Sequence, residues 1–458
     1  MSNNQQAKNQ NAKSGGRVIA IVAMCFLFAM ISFVTNLAAP LGTIWEGHYS
    51  WAGMVGNFMN FLAYLIMGIP AGKMITRIGY KKTALVAIAT GAVGMVLQLL
   101  SSKVGAGVNV IPVGGEYVEL NYVIYLLGAF VCGFCVCMLN TVVNPMLNLL
   151  GGGGAKGNQL LQLGASFNSL SGTLTPFLVG MLIGTVTDKT SMADVAPLLW
   201  IAIAVFVVSF IVFAFVPISE PVSVDKDKKQ EKSKYSAWSF RHTVLGVIAI
   251  FFYVGLEVGI PGILIFWLKS LGIPVAVAGG VASVYWLLML VGRVSSSAIS
   301  GKVSSRAQLI TVSAVAIIFV LLAIFMPTDI SVSVPSYSTA DGFSMAEVPI
   351  SALFLVLCGL CTSVMWGGIF NLAVEGLGKY TAQASGIFMM MVVGGGVMPL
   401  IQDWIGREAG YQQSYWLIVA MLAYLFYYAL IGSKNVNKDI PVDDEAKKVA
   451  ESEVPDAV

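Results

Sequence analysis

The stretch Asp225-Lys-Asp-Lys-Lys-Gln-Glu-Lys-Ser-Lys234 is the charged centre of the only long polar segment between the apolar runs of this 458-residue chain. This segment covers residues 218–241, and six apolar runs precede it and six follow it. A helix needs about 20 apolar residues to cross a bilayer. The stretch is therefore predicted to be a solvated linker between two six-helix halves.

The apolar runs dominate the chain, which is 57% hydrophobic and only 11% charged. A soluble domain carries about 25% charged residues, so too few are present to cover a water-facing surface. The sequence predicts an all-α membrane protein with twelve transmembrane helices, at residues 17–41, 51–75, 83–101, 119–150, 159–186, 195–217, 242–270, 273–300, 307–326, 348–377, 381–405 and 410–432. The predicted domains are a disordered N-terminus (1–16), an N-terminal half (17–217), the linker, a C-terminal half (242–432) and a disordered tail (433–458).

The positive charges predict the orientation, because cytoplasmic loops of membrane proteins carry an excess of Lys and Arg. With the N-terminus in the cytoplasm, twenty-one of the 26 Lys and Arg residues fall in cytoplasmic segments. Four fall in outer loops, namely Lys103, Lys189, Lys269 and Arg407. We therefore expect a multi-pass protein of a bacterial inner membrane with both termini in the cytoplasm.

A glycine-containing basic turn occurs at matching positions in the two halves. The first is Gly72-Lys-Met-Ile-Thr-Arg-Ile-Gly-Tyr-Lys-Lys82, and the second comprises Gly292-Arg293 and Ser300-Gly-Lys-Val-Ser-Ser-Arg306. Each turn alone fits an ordinary positive-inside loop. Their matching positions favour an internal repeat, which is the usual construction of secondary transporters. The two halves are therefore expected to be pseudo-symmetric.

The first turn resembles the loop signature of the major facilitator superfamily, Gly-x-x-x-Asp-Arg-x-Gly-x-Lys/Arg, with Thr76 at the Asp position. Five further stretches extend the resemblance across residues 17–432. They are Asn140-Thr-Val-Val-Asn-Pro145, Ser166-Phe-Asn-Ser169, Phe252-Tyr-Val-Gly-Leu-Glu257, Gly368 to Thr381 and Gly394-Gly-Gly396. Together they resemble the fucose permease family, also called the fucose–galactose–glucose:proton symporter family.

This resemblance implies the major facilitator fold and the import of a monosaccharide or amino sugar. The best-known members are driven by protons, and some relatives by sodium. The two functional acids of the fucose permease match Asn36 and Asn140 in this chain. An amide does not take up and release a proton at physiological pH, so that proton route is absent here.

Amide side chains are the main polar groups inside the predicted spans. Asn140, Asn144 and Asn148 recur every four residues and share one helix face. Amides donate and accept hydrogen bonds without adding charge, which suits sugar hydroxyls. With the family match, this predicts one central cavity lined by Asn36, Asn140, Asn144, Gln162, Asn168 and Trp366. The alternative is that amides tie helices together, and we favour it for Asn57 and Asn60.

Glu257 is the only carboxylate well inside the seventh predicted span. An intramembrane carboxylate is a functional candidate by default, and we predict that Glu257 is the ion-coupling residue of the same cavity. It either carries the proton itself or holds a sodium ion with carbonyl and amide oxygens. In an uncoupled transporter it accepts hydrogen bonds from the sugar. A fixed ion pair with Arg293 is the structural alternative.

The overall prediction is a secondary active importer that works by alternating access as a monomer in the lipid bilayer, coupled to protons or sodium. An uncoupled sugar uniporter and a non-transporting sugar sensor are the alternatives. No enzyme activity, cofactor, metal site or nucleic-acid partner is expected. The six cysteines lie in apolar runs without a nearby histidine, and the loop Gly151-Gly-Gly-Gly154 lacks the Gly-Lys-Ser/Thr ending of a phosphate loop.

Overall fold

The computed structural model describes residues 2–49, 52, 55–113, 115–183, 190–215, 235–338 and 342–442. Most of them are helical. The longer helices are α1 (Ser2–His48), α2 (Val55–Ser101), α3 (Leu120–Leu150), α4 (Gly154–Ile183), α5 (Ala196–Phe215), α6 (Arg241–Ser270), α7 (Val275–Ile299), α8 (Ser305–Phe325), α9 (Ile350–Val374), α10 (Thr381–Met390), α11 (Gly394–Ala409) and α12 (Tyr411–Tyr427).

Ten helical segments among the described residues are long and apolar enough to cross a membrane. The 47-residue helix α2 counts once among them although it covers the second and third predicted spans. Helix α4 covers most of the fifth predicted span and is not among the ten. The chain is therefore a multi-pass membrane protein by length and composition, and the count of twelve spans stays a prediction.

The helix boundaries differ from the predicted ones at several places. Helix α1 is continuous from Ser2, ahead of the predicted start at residue 17, and its apolar part is Gly16–Leu37. Residues 218–234 of the predicted linker and 443–458 of the predicted tail lie outside the described residues. The end of the linker forms a short 3₁₀ turn at Ala237–Ser239 before α6 begins.

Helix α2 consists of two helical segments joined at Gly79. The backbone of Gly79 has φ 84° and ψ 172°, a conformation that only glycine adopts without strain. Gly79 belongs to the basic turn of the sequence motif, so the predicted boundary between two spans coincides with this interruption. The chain therefore changes direction within the motif, at a residue that lacks a Cβ atom.

Two β-hairpins correct the expectation of a purely α-helical chain. Strands β1 (Asn109–Val113) and β2 (Glu116–Glu119) pair antiparallel between α2 and α3. Strands β3 (Ser331–Ser338) and β4 (Gly342–Pro349) do so between α8 and α9. The second hairpin alternates small polar and apolar residues, as a half-buried strand does. A search for long apolar runs does not detect strands of this length.

Helices from the two sides of the linker pack directly on each other. Helix α2 contacts α10, and α4 contacts α7. At the first contact a Cβ atom on Gly68 would lie 2.6 Å from the backbone oxygen of Gly386. Small residues at such positions allow close helix packing in membranes. Elsewhere the surface is apolar, as at Phe215, which is 83% exposed, and suits contact with lipid.

Candidate functional site

Two amides and a tryptophan form a hydrogen-bonded chain across α2, α3 and α9. Asn140 Nδ2 donates to the hydroxyl of Tyr64 at 2.7 Å, and Asn144 Nδ2 donates to the backbone oxygen of Asn140 at 2.8 Å. Trp366 Nε1 donates to Asn144 Oδ1 at 2.8 Å. Asn144 is fully buried. These hydrogen bonds therefore hold the indole of Trp366 against the amide of Asn144. Trp366 lies after the linker in sequence, and Asn144 lies before the linker.

Pro145 explains a further contact of this part of α3. Proline has no backbone N–H, so the carbonyl of the residue four positions earlier loses its helical partner. That residue is Thr141, and its oxygen accepts a hydrogen bond from Ser385 Oγ of α10 at 3.2 Å. The Asn-Pro motif of the sequence thus creates a second link between α3 and the helices that follow the linker.

Glu257 lies on α6 with one of its two carboxylate oxygens engaged. Oε1 accepts from Tyr253 Oη at 2.8 Å and from an Nη atom of Arg293 at 3.1 Å. The side chain is 14% exposed. Among the described residues no group hydrogen-bonds to Oε2. Glu257 is therefore a paired carboxylate that keeps one oxygen for another ligand.

Pro261 changes the backbone around this carboxylate. It lies inside α6, four residues after Glu257, and it cannot donate a hydrogen bond to the carbonyl of Glu257. Carbonyl and carboxylate oxygens are the ligands that hard cations prefer. The local sequence therefore provides a second candidate oxygen in the same turn. Both oxygens suit a sodium ion or a sugar hydroxyl, and the carboxylate oxygen also suits a proton.

Arg293 of α7 carries the positive charge of the site and is 7% exposed. Besides Glu257, its guanidinium donates to Ser169 Oγ at 2.6 Å and to the backbone oxygen of Ala165 at 3.3 Å, both on α4. Its Nε is buried without an acceptor in the described part of the chain. Arg293 thus pairs with Glu257, as the structural alternative expected, and also joins α7 to α4.

Aromatic contacts connect the amide chain to the carboxylate. The ring centroids of Tyr253 and Trp366 are 6.1 Å apart, and those of Trp366 and Phe388 are 6.2 Å apart. Tyr253 is the residue that donates to Glu257. Asn140, Asn144, Trp366 and Glu257 therefore belong to one connected group of side chains.

The other predicted amides lie on α1 and α4, where each donates a hydrogen bond to a backbone oxygen. Gln162 Nε2 donates to the oxygen of Val364 at 3.0 Å, two residues before Trp366. Asn168 Nδ2 donates to the oxygen of Phe28 at 3.0 Å. Asn36 Nδ2 donates to the oxygen of Ser32 on its own helix at 2.8 Å. Gln162 thus adjoins the Trp366 group, whereas Asn36 and Asn168 lie along the α1–α4 contact.

Uncharged side chains form hydrogen bonds between helices that precede the linker and helices that follow it. These contacts lie at the end of the bundle that carries the α3–α4 and α7–α8 turns. We call this set the polar clasp. Its side-chain contacts are Asn148 with Asn371, Asn158 with Ser300, Ser297 with the Gln159 oxygen, and Gln162 with the Val364 oxygen. A Cβ atom on Gly367 would lie 2.8 Å from Gln162 Nε2 and 2.9 Å from Asn158 Oδ1. The clasp therefore depends on a close approach at Gly367.

A cavity of about 830 Å³ lies beside the clasp, lined by residues that include Arg17, Lys156 and the glycines 151–153. It contains none of the predicted binding residues. Among the described residues no group of three His, Cys, Asp or Glu side chains is placed to hold a metal ion. All six cysteines are buried and unpaired.

Residues 19–398 match the family model described as Major Facilitator Superfamily. The chain belongs to the Major Facilitator Superfamily. A glucose/galactose transporter of Brucella abortus biovar 1 (strain 9-941) is 31% identical over 430 residues, covering 91% of this chain and 94% of that protein. The L-fucose-proton symporter of Escherichia coli (strain K12) is 22% identical over 456 residues, covering 92% and 95%.

Solved structures of the superfamily share the fold. The crystal structure of FucP in the outward conformation aligns with a TM-score of 0.74 at 19% identity, over 92% of this chain and 100% of that one. A proton:xylose symporter, XylE, aligns with a TM-score of 0.64 at 14% identity, over 91% and 98%. The predicted resemblance to the fucose permease family is confirmed.

Thr76 is the place where this member departs from the superfamily loop signature. Its hydroxyl donates to the backbone oxygen of Lys73 at 2.9 Å, within the same turn of helix. A threonine carries no charge to pair with a basic residue of another helix. At this end of the bundle, the described side-chain contacts of the polar clasp are likewise uncharged.

Sequence reasoning did not identify three partners of the site residues: Tyr64, which contacts Asn140, Tyr253, which contacts Glu257, and Ser169, which contacts Arg293. Tyr253 precedes Glu257 by four residues, so helical spacing places both on one face, and this signal was present in the sequence. Ser169 ends the Ser166–Ser169 motif but had no assigned role. Tyr64 lies in an apolar run, and its contact with Asn140 depends on how α2 and α3 pack.

Proposed function

We propose that this protein imports a monosaccharide across a bacterial inner membrane by proton-coupled alternating access. The observation that carries the proposal is the group formed by Asn140, Asn144, Trp366 and Glu257. It combines neutral amides, a flat aromatic ring and a carboxylate oxygen that has no hydrogen bond from the described residues. Amides match sugar hydroxyls, and an indole face packs against the apolar face of a sugar ring. The names of the bacterial relatives support a hexose as the substrate.

We further propose that the chain crosses the membrane twelve times in two pseudo-symmetric halves. The interruption of α2 at Gly79 supports counting it as two spans, and α4 supplies the fifth. A hairpin follows the third predicted span and another follows the ninth, as expected for a repeated unit. The excess of basic residues on the side of the termini supports a cytoplasmic location for both of them.

The same proposed orientation supports an assignment of the conformational state. The polar clasp lies at the end that carries the α3–α4 and α7–α8 turns, which this topology places in the cytoplasm. The clasp joins helices from both sides of the linker. We therefore infer an outward-facing arrangement with the cytoplasmic side closed. The fold likeness to FucP in its outward conformation agrees with this inference.

An uncoupled uniporter is the second candidate. The amides at Asn36 and Asn140 and the pairing of Glu257 with Arg293 favour it, because a permanently ionised pair carries no proton. In that case Glu257 Oε2 would accept a hydrogen bond from the sugar and would not be the site of coupling.

Proteoliposomes distinguish these functions. We expect labelled D-galactose and D-glucose to accumulate when a proton gradient is imposed, and not when only a sodium gradient is imposed. Uptake that never exceeds equilibration would establish uniport. Binding without counterflow would establish a sensor. An absence of both binding and counterflow for every sugar of a monosaccharide and amino-sugar panel would contradict the proposal.

A further inference from the structure

One guanidinium connects the candidate ion site to the contact between the two halves. Arg293 of α7 donates to Glu257 Oε1 on α6 at 3.1 Å and to Ser169 Oγ on α4 at 2.6 Å. A third bond, to the backbone oxygen of Ala165, also goes to α4. Helices α6 and α7 follow the linker, whereas α4 precedes it. Any movement of α4 away from α7 therefore removes partners from the same side chain that pairs with Glu257.

The ion pair is incomplete in this arrangement. Arginine and carboxylate groups that are free to do so frequently form two parallel hydrogen bonds. Here one Nη atom of Arg293 is engaged by α4, and only the other reaches Glu257. The second carboxylate oxygen, Oε2, has no hydrogen bond from the described residues, and the carboxylate retains some exposure. The contact with α4 thus keeps Oε2 available.

We propose that Arg293 is a positioning residue that ties the occupancy of Glu257 to the position of α4, an inference that rests on the proposed function. While α4 is docked, Arg293 donates to Ser169 and leaves Oε2 to bind a proton. When α4 separates from α7, the released Nη turns to Oε2 and completes a two-bond pair. The O–H bond at Oε2 then breaks, and the proton leaves to water on the side that has opened.

The groups around Glu257 support this exchange. The titratable or charged side chains that face it are Tyr253 on its own helix and Arg293 and Tyr285 on α7. The two tyrosines are hydrogen-bonded, Tyr253 to Glu257 and Tyr285 to Thr362. From α4, the contacts with the guanidinium come from an uncharged hydroxyl and a backbone oxygen. Arg293 is therefore the charged group of the described structure whose rearrangement alters the environment of Oε2.

The direction of coupling follows from the geometry. In the outward-facing arrangement proposed above, α4 is docked and Oε2 is open, so a proton binds from outside. Opening of the cytoplasmic side separates α4 from α7, completes the pair between Arg293 and Glu257 and releases the proton inside. Arg293 thus makes one hydrogen bond to Glu257 while α4 is docked and two after α4 separates. The conformation and the binding of the proton therefore influence each other, as reciprocal coupling requires.

Ser169→Ala tests the proposal, because it removes the α4 hydroxyl that holds one Nη of Arg293. The released Nη is then free to pair with Oε2 in both conformations. We expect proton-driven accumulation of labelled D-galactose in proteoliposomes to fall by about tenfold or more, while galactose counterflow is retained. The external pH that gives half-maximal accumulation should also shift. Ser169→Thr keeps the hydroxyl and should restore both properties.

Ser297→Ala is the matched control. Ser297 of α7 also donates to α4, to the backbone oxygen of Gln159 at 3.2 Å, and has no hydrogen bond with Arg293. A single interhelical hydrogen bond in a membrane contributes about 0.6 kcal/mol, or roughly a threefold effect. The control variant should therefore change rates by about threefold at most and leave the pH profile in place.

The possible outcomes separate the two proposals. Equal accumulation and unchanged pH profiles in Ser169→Ala and Ser297→Ala would overturn the role of Arg293 and leave sugar transport intact. Counterflow that falls in proportion to accumulation in Ser169→Ala would also overturn it. A wild-type protein that exchanges galactose without accumulating it would establish uniport, which overturns the role of Arg293 and the proton coupling of the proposed function but leaves sugar transport intact. A wild-type protein that does neither would contradict the proposed function itself.

Discussion

The helices before the linker and the helices after it contribute different chemistry to the centre of the bundle. From the first set come neutral groups, among them Asn140 and Asn144 of α3 and Ser169 of α4. From the second set come the charges, Glu257 and Arg293, and the indole of Trp366. Among the hydrogen bonds that join the two sets are those from Trp366 to Asn144 and from Arg293 to Ser169.

This difference separates two tasks that a symporter must perform. Neutral amides hydrogen-bond to hydroxyl groups without supplying a charge, whereas a carboxylate with an adjustable partner binds and releases a proton. In the fucose permease family, the acids lie in the spans that hold Asn36 and Asn140 in this chain. With amides there, we propose that the charged function belongs to the helices after the linker. Substitutions on the two sides should therefore have separable effects.

The largest expected effect comes from the helices after the linker, which carry Glu257 and Arg293. Glu257→Gln should reduce proton-driven accumulation of galactose to equilibration while counterflow continues, because glutamine accepts hydrogen bonds from Arg293 and Tyr253 but carries no proton. Glu375→Gln, at an exposed carboxylate that follows α9, is the matched control and should accumulate normally. Thermal stability of the purified variants should be measured alongside, since Arg293 loses its counterion. Continued accumulation by Glu257→Gln would place coupling elsewhere.

On the amide side, Asn140→Leu should abolish detectable sugar binding or weaken it by about tenfold or more, because a leucine offers sugar hydroxyls no partner. Asn57→Leu removes an amide of α2 that we assign to helix packing, and its affinity should stay close to that of the wild type. Isothermal titration with D-galactose and D-glucose measures both. Unchanged affinity in Asn140→Leu would leave the residue with a structural role only, as a partner of Tyr64.

Gly367→Ala tests how strongly the polar clasp holds the two helix sets together. The added Cβ would lie within 3 Å of the Gln162 and Asn158 side chains and should weaken the contact between the two helix sets there. We expect about a fivefold increase in the labelling rate of a cysteine introduced by Ala155→Cys, beside the clasp. Gly262→Ala on α6 has open space around the new Cβ and controls for the general effect of removing a helical glycine. Equal labelling in both variants would show that the clasp tolerates the change.

The smallest expected effect is at the hydrogen bond between Trp366 and Asn144. Trp366→Phe keeps an aromatic face but removes the N–H, and it should weaken galactose binding by about threefold. A double-mutant cycle with Asn144→Ala measures how much of this loss passes through the bond. If the two changes are additive, the indole and the amide act independently, and the link between the two helix sets at this point has no energetic role.

Much of the architecture could be read from the sequence, because the requirement for long apolar runs in a bilayer is local. The runs were recognisable in this way, the basic turn contains the interruption at Gly79, and the motifs identified the family. The prediction that Glu257 is functional rests on the free-energy cost of a carboxylate in lipid. The two hairpins were missed because short strands between spans carry no comparable signal.

The partners of the site residues depended on tertiary structure. Asn144 and Trp366 are 222 positions apart, and Ser169 and Arg293 are 124 apart. Helical spacing shows which residues of one helix share a face, but the rotation and depth of two packed helices decide which faces meet. Sequence alone therefore determined the superfamily, the predicted spans and the candidate amides and acid of this protein. Only the packing of α4 against α7 decided that Arg293 contacts both Glu257 and Ser169.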